Sequence, residues 1–347
     1  TFKFIASGSA AAALKLKSNE SGAGRFTDFV LPPLTFREYL LLTGEEEYAE
    51  ECFTKFFGKW DDVTEMKNGE RLHLNMDKLN VFFIKYINYG GYPEVSLSET
   101  IQKDPQRYIR NDIIDKVLLR DLPSLYGIQD IQELNSLFTY IAYHSGNEMS
   151  LDEISKNSGV AKNTIKKYLT YLEAAFLIKI IHRVDNNLRK FKRAHYFKVY
   201  LINPSLRSAL FSPITESDPF IGNMVETAIY SQLQHMGNSP LYYARWSKGE
   251  VDIVSFGIFS TPNWATEVKW SDKYPDNPSE LKSLFQFCSM NRMKKAYVTT
   301  RSISQRTSLN GLEYEFIPSS LYCYSLGKSI LWTRTNQNLF PDYGDVI

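Results

Sequence analysis

Cysteine and histidine are scarce and scattered. Cys52, Cys288 and Cys323 lie far apart with no C-x-x-C pair, and the five histidines show no ligand spacing. Neither a disulfide framework nor a zinc site is written into the sequence. Long apolar runs are missing too: the most apolar stretch, 174–181, is interrupted by Lys179 and falls far short of the ~18 residues a membrane helix needs. Charge of one sign is absent, since 40 Lys+Arg against 39 Asp+Glu leave a net +1. Partners must therefore be read from local charge, not from the total. No credible phosphate loop exists. The only Gly-Lys-Ser, at Gly327-Lys328-Ser329, has Tyr322 where a P-loop requires its first glycine. No basic-then-apolar leader and no repeat is visible. What remains is a 347-residue chain, 43% hydrophobic and 23% charged. That is ordinary globular composition, with length for two or three domains and an expected cytoplasmic location.

The chain opens in Thr1-Phe2-Lys3-Phe4-Ile5-Ala6, which reads as a strand already in progress and predicts a start inside a domain. A polar glycine loop follows, then a short strand over 26–31 ended by Pro32-Pro33. Thr35 with Glu38 forms a capping box that should start a helix. Residues 45–130 are mostly helical in pattern, with Phe82, Phe83, Tyr86 and Ile87 at helical spacing and a helix expected over 108–119.

Between 131 and 203 the pattern changes. Ser150 with Glu153 predicts a helix that stops near Gly159, and Asn163 to Phe176 predicts a second. Two helices joined by a short glycine-containing turn make a helix-turn-helix, and paired strands over 177–184 and 194–202 would complete a winged helix. Lys162, Asn163, Lys166, Lys167 and Thr170 share the outer face of the second helix, with Ile165, Leu169 and Leu172 inward. The strand loop adds Arg183, Arg189, Lys190, Lys192 and Arg193. Positive charge on such a helix and loop is what phosphate binding requires.

From 204 onward helices and strands alternate, which predicts an α/β sandwich. Its sharpest feature is Gly249-Glu250-Val251-Asp252, followed by Glu267-Val268-Lys269. Alternate residues of a strand share a face, so Glu267 and Lys269 should project together with Asp252 on the neighbouring strand. Glu226, on a helix upstream, could pack beside the same sheet. Carboxylates bind hard Mg²⁺ or Mn²⁺, and a lysine beside them can orient water and balance charge at a phosphate.

A helix acid, then Asp, then Glu-x-Lys on consecutive strands resembles the PD-(D/E)XK nuclease superfamily. The whole chain resembles a widespread prokaryotic family of AAA-type ATPases that carry a C-terminal winged helix and PD-(D/E)XK-like domain. Phe4-Ile5-Ala6-Ser7-Gly8-Ser9 resembles its sensor strand. Ala23-Gly24-Arg25 with Leu31-Pro32-Pro33-Leu34-Thr35-Phe36-Arg37-Glu38-Tyr39 resembles the next loop and strand. Tyr89-Gly90-Gly91-Tyr92-Pro93-Glu94 resembles the lid, and Arg120-Asp121-Leu122 the junction after it. Lys198-Val199-Tyr200-Leu201-Ile202-Asn203 resembles the strand that opens the last domain, although the family usually has Asp in place of Asn203.

The resemblance implies a mixed α/β and α, multi-domain chain. It would hold an AAA-type fragment at 1–44, a helical lid at 45–130, a winged helix at 131–203 and a PD-(D/E)XK-like α/β sandwich at 204–347. It implies Ser7 and Arg25 as remnants of a nucleotide site, with Walker A and B segments upstream of Thr1 and ATP used only by a longer form. The expected activity is nucleic-acid binding with Mg²⁺-dependent cleavage, on DNA or RNA. Asp252, Glu267, Lys269 and Glu226 would be catalytic, and Asp252 and Glu267 would hold the metal. Self-association through the AAA-type part is expected, and membrane contact is not. The alternative is a non-catalytic interaction module whose nuclease-like fold is a scaffold.

Overall fold

The computed structural model describes residues 31–61, 68–69, 71–72, 74–186, 195–236, 240–257 and 262–336. It is a mixed α/β structure built on one large sheet.

Helix α1 (Phe36–Thr43) starts at the expected capping box, with Thr35 accepting from the Glu38 amide and the Glu38 carboxylate accepting from the Thr35 amide. Gly44, at φ +75, ends it. Helix α2 (Glu46–Asp61), strand β1 (Arg71–Leu72) and helix α3 (Asp77–Tyr89) follow. At Gly91 the backbone turns through φ +94, and a Cβ there would stand 2.2 Å from Asn203 Nδ2. Only glycine meets both conditions.

Short helices α4 (Pro93–Leu97), α5 (Glu99–Gln102) and α6 (Pro105–Tyr108) lead into π-helical turns at Ile109–Asp115 and Val117–Asp121, then α7 (Leu122–Tyr126). The helix expected over 108–119 thus falls within a longer helical stretch. Next come α8 (Ile131–Tyr143), β2 (Glu148–Ser150), α9 (Leu151–Ser158), α10 (Lys162–Ala174), β3 (Ile178–Val184), β4 (Tyr196–Leu201) and α11 (Ser205–Leu210). Ser150 caps α9 through the Glu153 amide, and Gly159, at φ +74, closes it.

The last part holds α12 (Ile221–Leu233), β5 (Leu241–Trp246), β6 (Gly249–Phe256), β7 (Pro262–Glu267), α13 (Lys282–Met290), β8 (Lys295–Thr300), β9 (Ser304–Leu309), β10 (Leu312–Pro318) and α14 (Ser319–Asn336). The strand expected to carry both Glu267 and Lys269 therefore ends at Glu267, with Lys269 just past it. Gly327-Lys328-Ser329 lies inside α14, where its backbone amides serve the helix and not a phosphate. Gly327 also lets α14 approach α1, because a Cβ there would meet Arg37 Cβ at 2.7 Å.

The ten strands form one sheet in the order β1-β9-β10-β8-β7-β6-β5-β3-β4-β2. β10 and β7 run parallel to β8, β3 runs parallel to β5, and the other pairs are antiparallel. The sheet crosses residue 203 without a break, since the β3–β4 hairpin joins the C-terminal strands through His182↔Tyr242 and Val184↔Ala244. Three apolar clusters cover it. Helices α1, α3, α12 and α14 pack on one face, through Phe36, Phe83, Val225, Ile229 and Leu321. α13 covers the other face through Leu284, Phe287 and Cys288. α8, α9 and α10 close over β3 and β4 through Leu137, Ile154, Ile165 and Leu172. Burial of each such side chain contributes roughly 1.5–3 kcal/mol before entropy is subtracted.

Candidate active site

Helix α12 is buried along almost its whole length, and Glu226 is its only charged residue. A lone carboxylate there must find partners or lose its charge. It finds two on strand β4: the Lys198 ammonium at 3.0 Å and the Tyr200 hydroxyl, which donates to it at 2.5 Å. The Tyr200 ring is held by stacking on Tyr230, with centroids 3.9 Å apart.

The antiparallel register Ile253↔Thr266 makes Asp252 and Glu267 the next pair along β6 and β7. Asp252 Oδ2 accepts from the Val268 amide at 2.8 Å, while Tyr230 donates to the Asp252 carbonyl at 3.0 Å. Lys269 lies just past β7, yet Thr299 on β8 ties its backbone down, accepting from its amide at 2.8 Å and donating to its carbonyl at 3.0 Å. The Lys269 ammonium then stands 2.7 Å from Glu267 Oε1 and 3.8 Å from Asp252 Oδ2.

Asp252, Glu267 and Lys269 therefore meet on one side of the sheet. Glu226 does not touch Lys269 but joins the group through Lys198, whose ammonium also lies 2.7 Å from Glu250 and 3.8 Å from Asp252. Glu250 is bound in turn by Arg245 at 3.0 Å, and Arg245 reaches Glu148 at 3.2 Å. Lys198, Glu250 and Tyr200 lie within motifs of the sequence, but nothing there assigned them to the site. The one available signal was a charge inside the apolar strand Tyr196–Leu201.

Burial and the neighbouring Asp252 push the Glu267 carboxyl up to about 8, with Lys269 pulling the other way. Burial likewise raises Glu226 to about 7, opposed by Lys198. Burial disfavours both ammoniums, but the surrounding carboxylates outweigh it and hold Lys198 and Lys269 above the ordinary lysine range. The lysines are thus charged and the two glutamates easily protonated.

The donor set suits a hard cation. Glu267 Oε2 is buried with no hydrogen-bond partner among the described residues, and Asp252 Oδ1 has only a distant ammonium. Mg²⁺ is commonly held by one or two carboxylates together with waters and substrate phosphate. Among the described residues no group of three or more His, Cys, Asp and Glu side chains is arranged to hold a metal ion. Any cation would thus rest on Asp252 and Glu267, with water or phosphate supplying the remaining ligands.

On α10, Ile165, Leu169 and Leu172 are buried, while Lys162, Asn163, Lys166, Lys167 and Thr170 are exposed. Lys162 pairs with Asp152 of α9, and Arg183 on β3 lies 3.6 Å from Glu148. Arg189, Lys190, Lys192 and Arg193 lie outside the described residues, as do Ser7 and Arg25. No described helix is long and apolar enough to cross a membrane.

A family described as a domain of unknown function (DUF8612) matches residues 81–218, from within α3 to just before α12. Its match stops short of Glu226, Asp252, Glu267 and Lys269. Neither a curated protein nor a solved structure matches the chain.

Proposed function

We propose that this chain binds nucleic acid and cleaves its phosphodiester backbone with a divalent cation at Asp252 and Glu267. The observation that carries the reading is the meeting of those two carboxylates at the Lys269 ammonium, 3.8 and 2.7 Å away. When bound, the cation would lower the pKa of a coordinated water and draw charge from the phosphate. Asp252, fixed by the Val268 amide, orients the donor set. Lys269, held charged, orients the attacking water and offsets the negative charge that builds on the phosphoryl oxygens. Glu226, fixed by Lys198 and Tyr200, sets the field around Asp252 from behind.

Nucleic acid would be gripped by the segment β2-α9-α10-β3-β4. The order of its elements, with α10 exposing lysines and β3–β4 forming an antiparallel hairpin, supports the winged-helix reading. DNA is the favoured substrate and RNA the other. The AAA-type fragment, its dependence on ATP in a longer form and self-association rest on the sequence resemblance.

A second reading, a non-catalytic interaction module, is favoured by Lys198: its ammonium already lies 3.8 Å from Asp252, one of the two acids that a metal would need. Incubation of the chain with supercoiled plasmid and Mn²⁺ separates the two. Nicking by the wild type that Asp252→Asn abolishes supports the nuclease. A wild type that neither cleaves nor binds Mn²⁺ leaves the scaffold.

A further inference from the structure

Lys198 is the most buried cation of the site, with its side chain 4% exposed. It is carried by β4, whereas two of its three acidic partners are on β6. Those strands are separated in the sheet by β5 and β3. Three strand spacings are about 14 Å in a flat sheet, farther than a lysine side chain reaches. The span is closed from both ends, by the Lys198 side chain reaching from β4 and by the Glu250 and Asp252 side chains reaching from β6, and α12 brings Glu226 to the same point. A lysine delivered across such a distance into a cage of acids is a built feature of this fold.

The oxygens around the site divide into two groups. Those facing Lys198 are engaged: Glu226 by the ammonium and Tyr200, Glu250 by the ammonium and Arg245. On the Glu267 side Oε1 is held by Lys269 and Asp252 Oδ2 by the Val268 amide, but Glu267 Oε2 has no hydrogen-bond partner among the described residues. Four carboxylates converge here, and each half of the site has its own fixed ammonium, Lys198 or Lys269. Two divalent ions on opposite sides of Asp252 would place one of them where the Lys198 ammonium is.

We propose that Lys198 is the site's resident counter-cation, filling the position between Glu226, Glu250 and Asp252 that a second divalent ion would take, so that the site accepts one ion only. This rests on the metal-binding reading above. Lys198 is then a positioning residue: it holds Glu226 and Asp252 in place without a second metal and restricts the chemistry to a one-ion mechanism.

The test is Mn²⁺ stoichiometry, measured by calorimetry and by the paramagnetic resonance of free Mn²⁺. Wild type and Lys198→Arg should each take one ion per chain, and the neutral Lys198→Met should take a second. One ion in both wild type and Lys198→Met, lost in Asp252→Asn, keeps the metal reading and overturns the role of Lys198. Two ions in the wild type overturn it as well. No ion in either protein overturns the metal reading itself. If Lys198→Met fails to fold without metal, refolding in Mn²⁺ answers the same question. Recovery with two bound ions supports the proposal, and failure at every Mn²⁺ concentration overturns it.

Discussion

The Lys269 ammonium stands 2.7 Å from Glu267 Oε1, two residues back along the chain, while the other oxygen of that carboxylate is buried without a partner among the described residues. One half of the carboxylate is thus committed to the lysine and the other half is open to a ligand. If the lysine acts on water and phosphate, its removal should affect the transition state more than the fold. Lys269→Ala is expected to slow Mn²⁺-dependent cleavage by about a hundredfold or more. It should leave the circular dichroism spectrum unchanged and destabilise the chain by about 1–3 kcal/mol through the unpaired carboxylates. Cleavage within tenfold of wild type would remove Lys269 from the mechanism.

The Glu267 carboxyl, pushed up to about 8 by burial and by Asp252, makes a signed prediction about pH. Its folded pKa lies above its unfolded one. The stability it contributes is therefore complete below about pH 4.5 and is lost as pH rises through about 8, with a slope of up to about 1.4 kcal/mol per pH unit inside that window. Glu267→Gln mimics the protonated form at every pH. Relative to wild type it should be near neutral at pH 4 and progressively stabilising toward pH 8.5 in urea unfolding without metal. A difference that stays flat with pH would show that the carboxyl titrates normally.

Divalent cations should reverse that trend. Binding at Asp252 and Glu267 requires the carboxylate form, so the cation must first displace a proton from Glu267. The rise in melting temperature at a fixed, saturating Mn²⁺ concentration should be larger at pH 8.5 than at pH 6. An equal rise at both would place the ion elsewhere.

The local parts of this site could be read from the sequence, and the long-range parts could not. Glu267 and Lys269 are two residues apart, so strand geometry alone puts them together, and Asp252 follows from one antiparallel pairing. Lys198 meets Glu226 and Glu250 only through the packing of α12 and the strand order β6-β5-β3-β4, which no local pattern encodes. The same holds for β1 and β2, whose two and three residues are too short to show alternation. Helix α14 carries a weak sequence signal for another reason. Leu321, Tyr322, Cys323, Tyr324, Leu326 and Ile330 are all buried, so it lacks the polar face that marks an amphipathic helix.

Asn88 is a buried residue with no sequence signal and a clear structural role. Its amide donates to the Ile214 carbonyl at 2.8 Å and accepts from the Ile214 amide at 2.9 Å and the Ser208 hydroxyl at 2.8 Å. It joins α3 to the segment between α11 and α12. Asn88→Ala would leave the Ile214 backbone groups buried and unpaired, at a cost of about 2–4 kcal/mol. Urea unfolding measures this directly, and a loss below about 0.5 kcal/mol would mean that the segment repacks or that water replaces the amide.

The basic face of α10 gives the prediction on which nucleic-acid binding depends. Lys166 and Lys167 are exposed on the helix whose opposite side, through Ile165, Leu169 and Leu172, is locked into the core. Their ammoniums can be removed without disturbing packing, so the substitution tests binding and not folding. Together with Lys190 and Lys192, which follow β3, they form one cationic group in the sequence. Each lysine that contacts a phosphate releases counter-ions, and its loss should flatten the plot of log affinity against log salt by about 0.9 on duplex DNA. The quadruple substitution to Ala should therefore weaken binding across all sequences, most strongly at low salt, with little change in melting temperature. If affinity and salt slope both stay at wild-type values, α10 faces a protein partner instead, and phosphodiester cleavage by this chain would need another surface to hold its substrate.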